Sequence, residues 1–302
     1  MANVHALATV LGAPFEVDWR AAPGCMAEYG ALFDRMPRFA GRVQGAWDPG
    51  LRLREPAWEP AERRVWTGPR AHLAKSVPLL PALATEGFDA ALINSPGMSD
   101  LTTPQLPAAL LRRLKSRFYR SLPVLPELRA QARAIHATWL RESSARLIGV
   151  HVRRFSAQHD AADGIAFDSL SPLERFVDVL GDWPSPVRFA VFSNAPEIAA
   201  ELSQTLGSER AFVARPETAV PTRDAATGVR DALVDLLLLG MCDQVLGTYF
   251  SSFSDEAALF GSIGNKTSPL GPAGVAHARA NAYHAAGFQL DAHAALLRTV
   301  QR

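Results

Sequence analysis

The sequence predicts an α/β fold with an open parallel β-sheet over residues 143 to about 265. Short apolar segments alternate there with segments of helical period, as in strand–helix–strand units. The apolar segments are hydrophobic at successive positions, as strands covered on both faces are. With 302 residues, the chain is long enough for about two domains, and the N-terminal half is predicted to be a second α/β domain.

Each element of the C-terminal half follows from local signals. Ser171 is predicted to cap a helix that has Pro172 at its first position and Glu174 in a capping box. Asn194 is expected to cap the next helix, which stops at Gly207. The predicted strands are 146–152, 187–193, 211–214 and 244–248, and the predicted helices are 171–180, 194–207, 228–242 and 252–261.

The N-terminal half is patterned less regularly. Helical periodicity indicates helices, and alternation or a short apolar run indicates strands. The predicted helices are 3–11, 25–36, 105–119 and 125–142, the predicted strands are 14–19 and 87–96, and 44–70 is predicted to hold loops and short strands.

Composition argues against several classes of function. The formal net charge is +1, so the chain has no overall attraction to nucleic acid or to an anionic membrane. The N-terminus lacks a basic region, and no apolar run is long enough to span a membrane, so we expect a cytoplasmic protein. Cys25 and Cys242 lie far apart, show no metal-binding spacing and are expected to be reduced.

Polar and basic residues follow three of the predicted strands. The clusters are His151, Arg153 and Arg154 after the first strand, Ser193 and Asn194 after the second, and 247–252 after the last. Because ligands of open α/β sheets bind beyond the carboxyl ends of the strands, these clusters predict one site at one edge of the sheet. Arginines opposite a helix N-terminus suit a phosphate or a diphosphate, since guanidinium and free backbone N–H groups bind phosphate oxygens.

The arginine pair also has a structural alternative. Arg153 and Arg154 could form salt bridges with acids on the helices, such as Asp178 or Asp235, instead of binding a ligand. Asp235 itself lies in the most apolar predicted helix, where a carboxylate is costly unless it is paired. We therefore expect an arginine partner for it, supplied by Arg153, Arg154 or Arg230.

Two common catalytic motifs are absent from the sequence. Without GxxxxGK[ST] a P-loop nucleotide triphosphatase is disfavoured, and without GxSxG an α/β hydrolase is disfavoured. His159, Asp160 and Asp163 lie in the loop after the arginine pair. Three such residues in a polar loop are more often solvated than bound to metal, so neither a metal nor a cofactor is expected.

Two segments together resemble a known family. IGVHVRR (148–154) and VRDALVDLLLLGMCDQVLGTYFSSFSDEAALF (229–260) resemble the α-1,2/α-1,6 fucosyltransferases that include the nodulation-protein-Z type. That family is marked by an HxRR-type strand end, a buried helix carrying an aspartate, and a serine-rich turn. Residues 7–34 resemble the first helix, second strand and following segment of its bacterial members, whereas 40–120 shows no resemblance.

The resemblance implies a GT-B architecture, in which two Rossmann-like domains with parallel sheets face each other across a cleft. It implies an acceptor-side domain over 1–135, a nucleotide-sugar-binding domain over 136–285, and a helix over 286–302 that packs back on the N-terminal domain. Family members begin with a strand and a Gly-rich loop, so this N-terminal domain is expected to lack its first strand. The implied reaction is an inverting, metal-independent transfer of fucose from GDP-fucose to a glycan or small-molecule acceptor.

The family motifs also imply roles for individual residues. Arg153 would hold the donor diphosphate and stabilise the leaving GDP, with Arg154 supporting it. The implied nucleotide-sugar site comprises His151 beside the nucleotide, Ser193 and Asn194 at the base or ribose, Ser251, Ser252 and Phe253 at the phosphates, and Arg230 and Asp235. A catalytic base is not evident, and His159, Asp160 and Asp163 are candidates by proximity alone.

Two departures from the family pattern leave other functions open. Phe155 and Ser156 follow the arginine pair where the family has a Thr-Asp or similar acid, and Ser193-Asn194 replaces an acidic turn. The alternatives are a nucleotide-sugar-binding protein without catalytic activity and a transferase that uses another nucleotide sugar.

Overall fold

The computed structural model divides into two compact units. Unit 1 comprises Met1–Trp19, Pro37–Ser121 and Ala276–Arg302, and unit 2 comprises Arg20–Met36 and Leu122–Val275. The structure describes residues 2, 5, 6, 9, 26–34, 65–67, 76–78, 90–92, 100–102, 107–142, 145–154, 168, 171–184, 186–216, 224–249, 251–263 and 266–270. Unit 2 thus includes a segment near the N-terminus, Arg20–Met36.

Among the described residues of unit 1 are four short strands, the helical residues 2, 5, 6 and 9, and the helix α1. β1 (Val65–Thr67) pairs in parallel with β3 (Ala90–Leu92), and β2 (Ser76–Pro78) pairs in parallel with β4 (Asp100–Thr102). α1 (Ala108–Ser121) is amphipathic, since Leu111, Lys115 and Phe118, spaced four and three residues apart, are all buried.

Unit 2 is built on a four-stranded sheet in which all neighbouring strands are parallel. Its strands are β5 (Arg146–Val152), β6 (Val187–Ser193), β7 (Ala211–Val213) and β8 (Gln244–Gly247). Its helices are α2 (Pro126–Glu142), α3 (Leu173–Gly181), α4 (Pro196–Leu206), α5 (Ala226–Met241) and α6 (Ser252–Phe260). The spatial order of the strands is β7-β6-β5-β8. β6 and β7 are thus added in turn on one side of β5, and β8 lies on the other side of β5.

Helices cover both faces of this sheet, as its apolar strands require. On one face, Ile148 of β5 belongs to a buried cluster that includes Phe176 of α3 and residues of α4. On the other face, the Trp139 ring of α2 lies edge-on to Phe192 of β6, with the ring centres 6.2 Å apart. Unit 2 is therefore a three-layer α/β/α structure.

α5 and α6 approach their neighbours so closely that glycine is needed at the contacts. A Cβ at Gly149 of β5 would lie 2.9 Å from Cδ2 of Leu239 in α5. A Cβ at Gly261, which follows α6, would overlap the carbonyl oxygen of Gly240 in α5. Close packing of this kind fixes α6 against α5, since neither backbone can accept a side chain there.

The α/β class and most of the predicted elements are confirmed. β5 and β6 have the predicted bounds, and α1, α2, α5 and α6 lie within two to three residues of theirs. β3 occupies the centre of the strand predicted at 87–96, and residues 5, 6 and 9 are helical as predicted. The predictions for 14–19, 44–64 and 286–302 fall outside the described residues. Among the helices that the described residues form, none combines the length and the apolar character needed to cross a bilayer.

The helix predicted over 25–36 is wrong. Of the described residues 26–34, Tyr29–Ala31 form a single 3-10 turn. The Asp34 N–H donates to Pro123 O at 2.8 Å, and Leu32 O accepts from the Leu125 N–H at 3.0 Å. A helix would need these backbone groups for its own ladder, but they join the 122–125 segment instead.

Both side-chain helix caps predicted in unit 2 are also wrong. α3 begins at Leu173 with Pro172 in the N-cap position, and the Ser171 hydroxyl lies at another backbone group described below. The N-cap residue of α4 is Ala195, one residue after Asn194. In both cases the capping rule considers only local partners, whereas the structure supplies partners distant in sequence.

Candidate anion-binding site at the sheet edge

The site predicted at the carboxyl edge lies where the strand order reverses between β5 and β8. Val152 of β5 pairs with Ser193 of β6, and His151 pairs with Gly247 of β8. The residues after these three strands therefore emerge side by side, so the structure brings the three predicted clusters together. In open α/β sheets, ligands bind in the crevice at such a reversal.

Side-chain hydrogen bonds tie the end of β5 to the end of β6. The Ser193 hydroxyl donates to Val152 O at 2.7 Å and accepts from the Ala195 N–H at 3.1 Å. Asn194 Oδ1 accepts from the Arg154 N–H at 2.8 Å, and Asn194 Nδ2 donates to Arg154 O at 3.2 Å. Asn194 therefore fixes the backbone of Arg154 from both sides.

A second set of bonds ties the end of β5 to the turn after β8. The Thr248 N–H donates to His151 O at 3.0 Å, and Thr248 Oγ1 accepts from the Arg153 N–H at 2.9 Å. The Tyr249 N–H donates to the hydroxyl of Ser171 at 2.9 Å. Thr248 thus binds the backbone N–H of Arg153 as Asn194 binds the backbone N–H of Arg154. Hydrogen bonds from the ends of both neighbouring strands therefore fix the backbone of the arginine pair.

The guanidinium group of Arg154 is held loosely. Its Nη1 lies 3.4 Å from both Asp168 Oδ1 and Ser171 O, and its side chain is 11% exposed. Its Nε is buried, and none of the described residues accepts a hydrogen bond from it. Arg153 is half-buried. A buried guanidinium N–H without a strong acceptor is costly, and the two 3.4 Å contacts of Nη1 are long, so this guanidinium favours a stronger anionic partner.

The first turn of α6 lies beside these arginines. Ser251 occupies the N-cap position with extended backbone, φ −80° and ψ 110°, and its side chain makes no capping bond. Among the described residues, none accepts from the backbone N–H groups of Ser252, Phe253 and Ser254. A helix N-terminus in this state offers three donors and the positive end of the helix dipole to an anion.

His151 lies beneath this turn as a neutral side chain. It is 6% exposed, its ring centre is 5.0 Å from that of Phe253, and its Nδ1 is 3.5 Å from the Ser251 hydroxyl. Burial, with the nearby positive charges of Lys266 and Arg153, lowers the pKa of His151 to about 3. His151 therefore adds no charge at neutral pH.

Lys266 is a buried cation that the sequence analysis missed. Its side chain is 3% exposed, and Nζ donates to Thr248 O and Ser251 O, each at 2.7 Å, and to the Ser254 hydroxyl at 3.0 Å. Asp255 Oδ1 lies 3.4 Å from the same nitrogen. No sequence signal marks this lysine, because it follows a polar loop and its partners lie 12 to 18 residues earlier in the chain.

The arginine partner expected for Asp235 exists, but it is none of the three predicted. Arg215, which follows β7, has Nη1 at 2.9 Å from Asp235 Oδ1 and Nη2 at 2.7 Å from Asp231 Oδ1. Burial raises the pKa of Asp235 to about 6, although Arg215 acts in the opposite direction. The rule that located the three polar clusters, inspection of residues after each strand, would also have found Arg215 had it been applied to the short strand β7.

Two further predicted partners lie elsewhere in unit 2. Arg230 donates from Nη1 to Ala31 O at 2.9 Å and from Nη2 to Glu127 Oε1 at 3.2 Å. Asp178 pairs with Arg175 one turn earlier in α3, at 3.6 Å, so it is not a partner of the arginines after β5. The structure therefore ties Arg230 and Asp235 to protein groups.

The predicted base candidates His159, Asp160 and Asp163 lie outside the described residues. Within the part of the chain that the structure describes, no three His, Cys, Asp or Glu residues are grouped as metal ligands. The described site is a cationic one, with two arginines, an uncapped helix turn and a lysine behind that turn. Such an arrangement suits a phosphate-bearing ligand.

The fold can be compared with known structures on this basis. A structure of NodZ α-1,6-fucosyltransferase co-crystallised with GDP is 20% identical, with a TM-score of 0.52 and 86% of each chain covered. The chain has a NodZ-like fucosyltransferase fold. A second NodZ structure, soaked with GDP-fucose, is 18% identical with a TM-score of 0.51 and the same coverage. The resemblance inferred from the HVRR and serine-turn segments is thus confirmed for the fold. The sequence itself matches no protein-family model and no curated protein.

Proposed function

We propose that the protein is a glycosyltransferase of the fucosyltransferase type, which transfers the sugar of GDP-fucose to a glycan or small-molecule acceptor. One observation supports this above the others. The two arginines after β5 lie at the strand-order reversal beside the uncapped first turn of α6, in a fold shared with a NodZ structure obtained with GDP.

The proposed chemistry uses these cationic groups on the leaving diphosphate. The acceptor oxygen bonds to the sugar C1, the bond from C1 to the β-phosphate oxygen breaks, and its electron pair stays on GDP. Arg153 and the α6 N–H groups stabilise that added negative charge, and Arg154 supports them. Because fixed protein donors supply the positive charge, the proposal includes no metal, and attack from the face opposite GDP gives inversion.

The remaining site residues take supporting parts in this proposal. Ser193 and Asn194 hold the strand ends that present the arginines, His151 supports the turn from below, and Ser252 and Phe253 provide N–H donors. The acceptor proton passes to a base that lies outside the described residues, with His159, Asp160 and Asp163 as the candidates. Arg230 and Asp235 have no part in it, since protein groups occupy both.

Calorimetric titration of GDP, UDP and GDP-fucose tests the donor site. Arg153→Ala is expected to weaken GDP binding at least tenfold, and Arg153→Lys is expected to recover little, because an ammonium cannot make the forked contact. Arg175→Ala is the matched control, since Arg175 is 62% exposed and pairs with Asp178 on α3. That control should bind GDP as the wild type does.

Turnover separates the proposed function from its alternatives. Release of GDP from GDP-fucose with a panel of glycan acceptors, abolished by Arg153→Ala, is the expected result. Tight GDP binding without turnover on any acceptor would indicate a nucleotide-sugar-binding protein instead. Preference for UDP over GDP would indicate a transferase with another donor, and absence of binding to every nucleotide would refute the proposal.

A further inference from the structure

Lys266 reaches the turn after β8 from a position fixed by the sheet. The next residue, Thr267, forms a parallel bridge with Leu246 of β8. Its N–H donates to Val245 O at 2.8 Å, and its carbonyl accepts from the Gly247 N–H at 2.9 Å. The backbone that follows Lys266 therefore lies along the outer edge of β8, opposite β5.

The space that the lysine occupies is provided by Gly247. A Cβ at Gly247 would lie 3.3 Å from Cδ of Lys266 and 2.7 Å from Cβ of Ser254, and it would overlap the Ser254 hydroxyl. The lysine stem thus passes between the end of β8 and the first turn of α6. Any other residue at 247 would displace one of them.

The ammonium group donates to three groups of one turn. An ammonium has three N–H donors, and three acceptors lie within 3.0 Å of it: the carbonyl oxygens of Thr248 and Ser251 and the hydroxyl of Ser254. Asp255 adds an opposite charge at 3.4 Å. The carbonyls of Thr248 and Ser251 therefore point toward the buried ammonium of Lys266 and away from the side of the turn where the anion is proposed to bind.

The orientation of those carbonyls matters for an anion. A carbonyl oxygen carries partial negative charge, so one directed at a bound diphosphate would repel it, whereas the N–H groups of the same segment attract it. Without the ammonium, Thr248 O would keep the Ser251 N–H at 3.2 Å, and Ser251 O would keep the Asp255 N–H at 3.4 Å and the Ser254 hydroxyl at 3.3 Å. These contacts are longer than the 2.7 Å bonds to Lys266, so both carbonyls would gain by turning toward water. That rotation would move the N–H groups of the first turn of α6 away from their present direction.

We propose that Lys266 is a positioning residue for the diphosphate of the donor. It holds the carbonyls of Thr248 and Ser251 inward and so keeps the first turn of α6 in the orientation that binds the second phosphate. This inference rests on the proposed function and deepens it. It attributes the preference of the site for a diphosphate over a monophosphate to Lys266, which acts through the turn and not by contact with the ligand.

The test compares GDP with GMP in wild type and Lys266→Met, a substitution of similar length without charge. In the wild type, GDP should bind more tightly than GMP. In Lys266→Met, the ratio of the GMP and GDP dissociation constants should fall at least fivefold, mainly through weaker GDP binding. Lys115→Met is the matched control, since Lys115 is also a buried lysine, 2% exposed, but lies in α1 of unit 1. It should leave the ratio unchanged even if it lowers the melting temperature.

The outcomes separate this inference from the function on which it rests. Failure of the wild type to bind GDP would overturn the proposed function and this inference with it. Binding by the wild type, with a ratio in Lys266→Met that stays within twofold, would overturn the inference alone. If Lys266→Met shows no cooperative thermal transition, Ser254→Ala takes its place, because it removes one acceptor of the ammonium. There a two- to threefold fall in the ratio supports the inference, and an unchanged ratio overturns it.

Discussion

His151, the buried histidine at the end of β5, makes the free energy of unfolding depend on pH by an amount that can be calculated. Burial lowers the pKa of His151 from 6.5 to about 3 in the folded state, whereas the unfolded chain keeps the ordinary value. Between these values, unfolding takes up a proton at this side chain. The stabilisation is therefore complete above pH 6.5 and is lost as pH falls toward 3, at about 1.4 kcal/mol per pH unit for one proton. Over the whole window this amounts to about 5 kcal/mol.

His151→Asn isolates that contribution, because asparagine keeps a polar atom near Nδ1 and does not titrate. The free energy of unfolding would be measured by urea denaturation at half-unit steps from pH 4 to 7.5. The wild-type curve should be steeper than the variant's by about 1.4 kcal/mol per pH unit between pH 4.5 and 5.5. His136→Asn is the control. Burial also lowers the pKa of His136, but a backbone hydrogen bond at Met241 and the charge of Asp243 oppose the lowering, so a smaller change in slope is expected. Parallel curves for wild type and His151→Asn would refute the buried, neutral histidine.

Two further predictions concern packing and charge in unit 2. Arg215→Met should destabilise the protein by about 3 kcal/mol at pH 7.5, because it leaves the buried Asp235 carboxylate without its partner. The loss should be smaller at pH 5, because burial raises the pKa of Asp235 and a protonated carboxyl tolerates loss of its partner. Equal losses at both pH values in urea denaturation would contradict this. Gly261→Ala should cost about 3 kcal/mol, since its Cβ would overlap the backbone of α5. Gly181→Ala, with nothing within 4 Å of its Cβ, should be neutral or stabilising in the same urea denaturation experiments.

The sequence predicted the sheet of unit 2 better than the contacts at its edge. β5 and β6 were found with their observed bounds because a parallel strand covered on both faces is a continuous apolar run with sharp ends. The convergence of the polar clusters followed from the geometry of parallel strands alone. The roles of individual side chains could not be predicted in this way. Asn194 is a residue type that commonly caps helices, and yet its side chain bonds to the backbone of Arg154, 40 residues away.

Long-range pairing also explains the other errors. Residues 25–36 have helical periodicity, but Phe33 pairs with Val124 in an antiparallel bridge, and a local pattern carries no information about such a partner. Lys266 is the extreme case. Its buried position depends on the space left by Gly247 and on the carbonyls of a turn, and neither is a property of the residues around 266 in the sequence.

The attachment of α6 at both ends has a consequence for how the chain can vary in length. Its amino end is held by the ammonium of Lys266, and its carboxyl end is held by the contact of Gly261 with Gly240. One residue inserted between these points would advance the helix by about 1.5 Å and rotate it by about 100°. Either Ser251 or Gly261 would then leave its contact. The nine residues of α6 therefore set the distance between these two contacts, and an insertion or deletion within the helix breaks one of them.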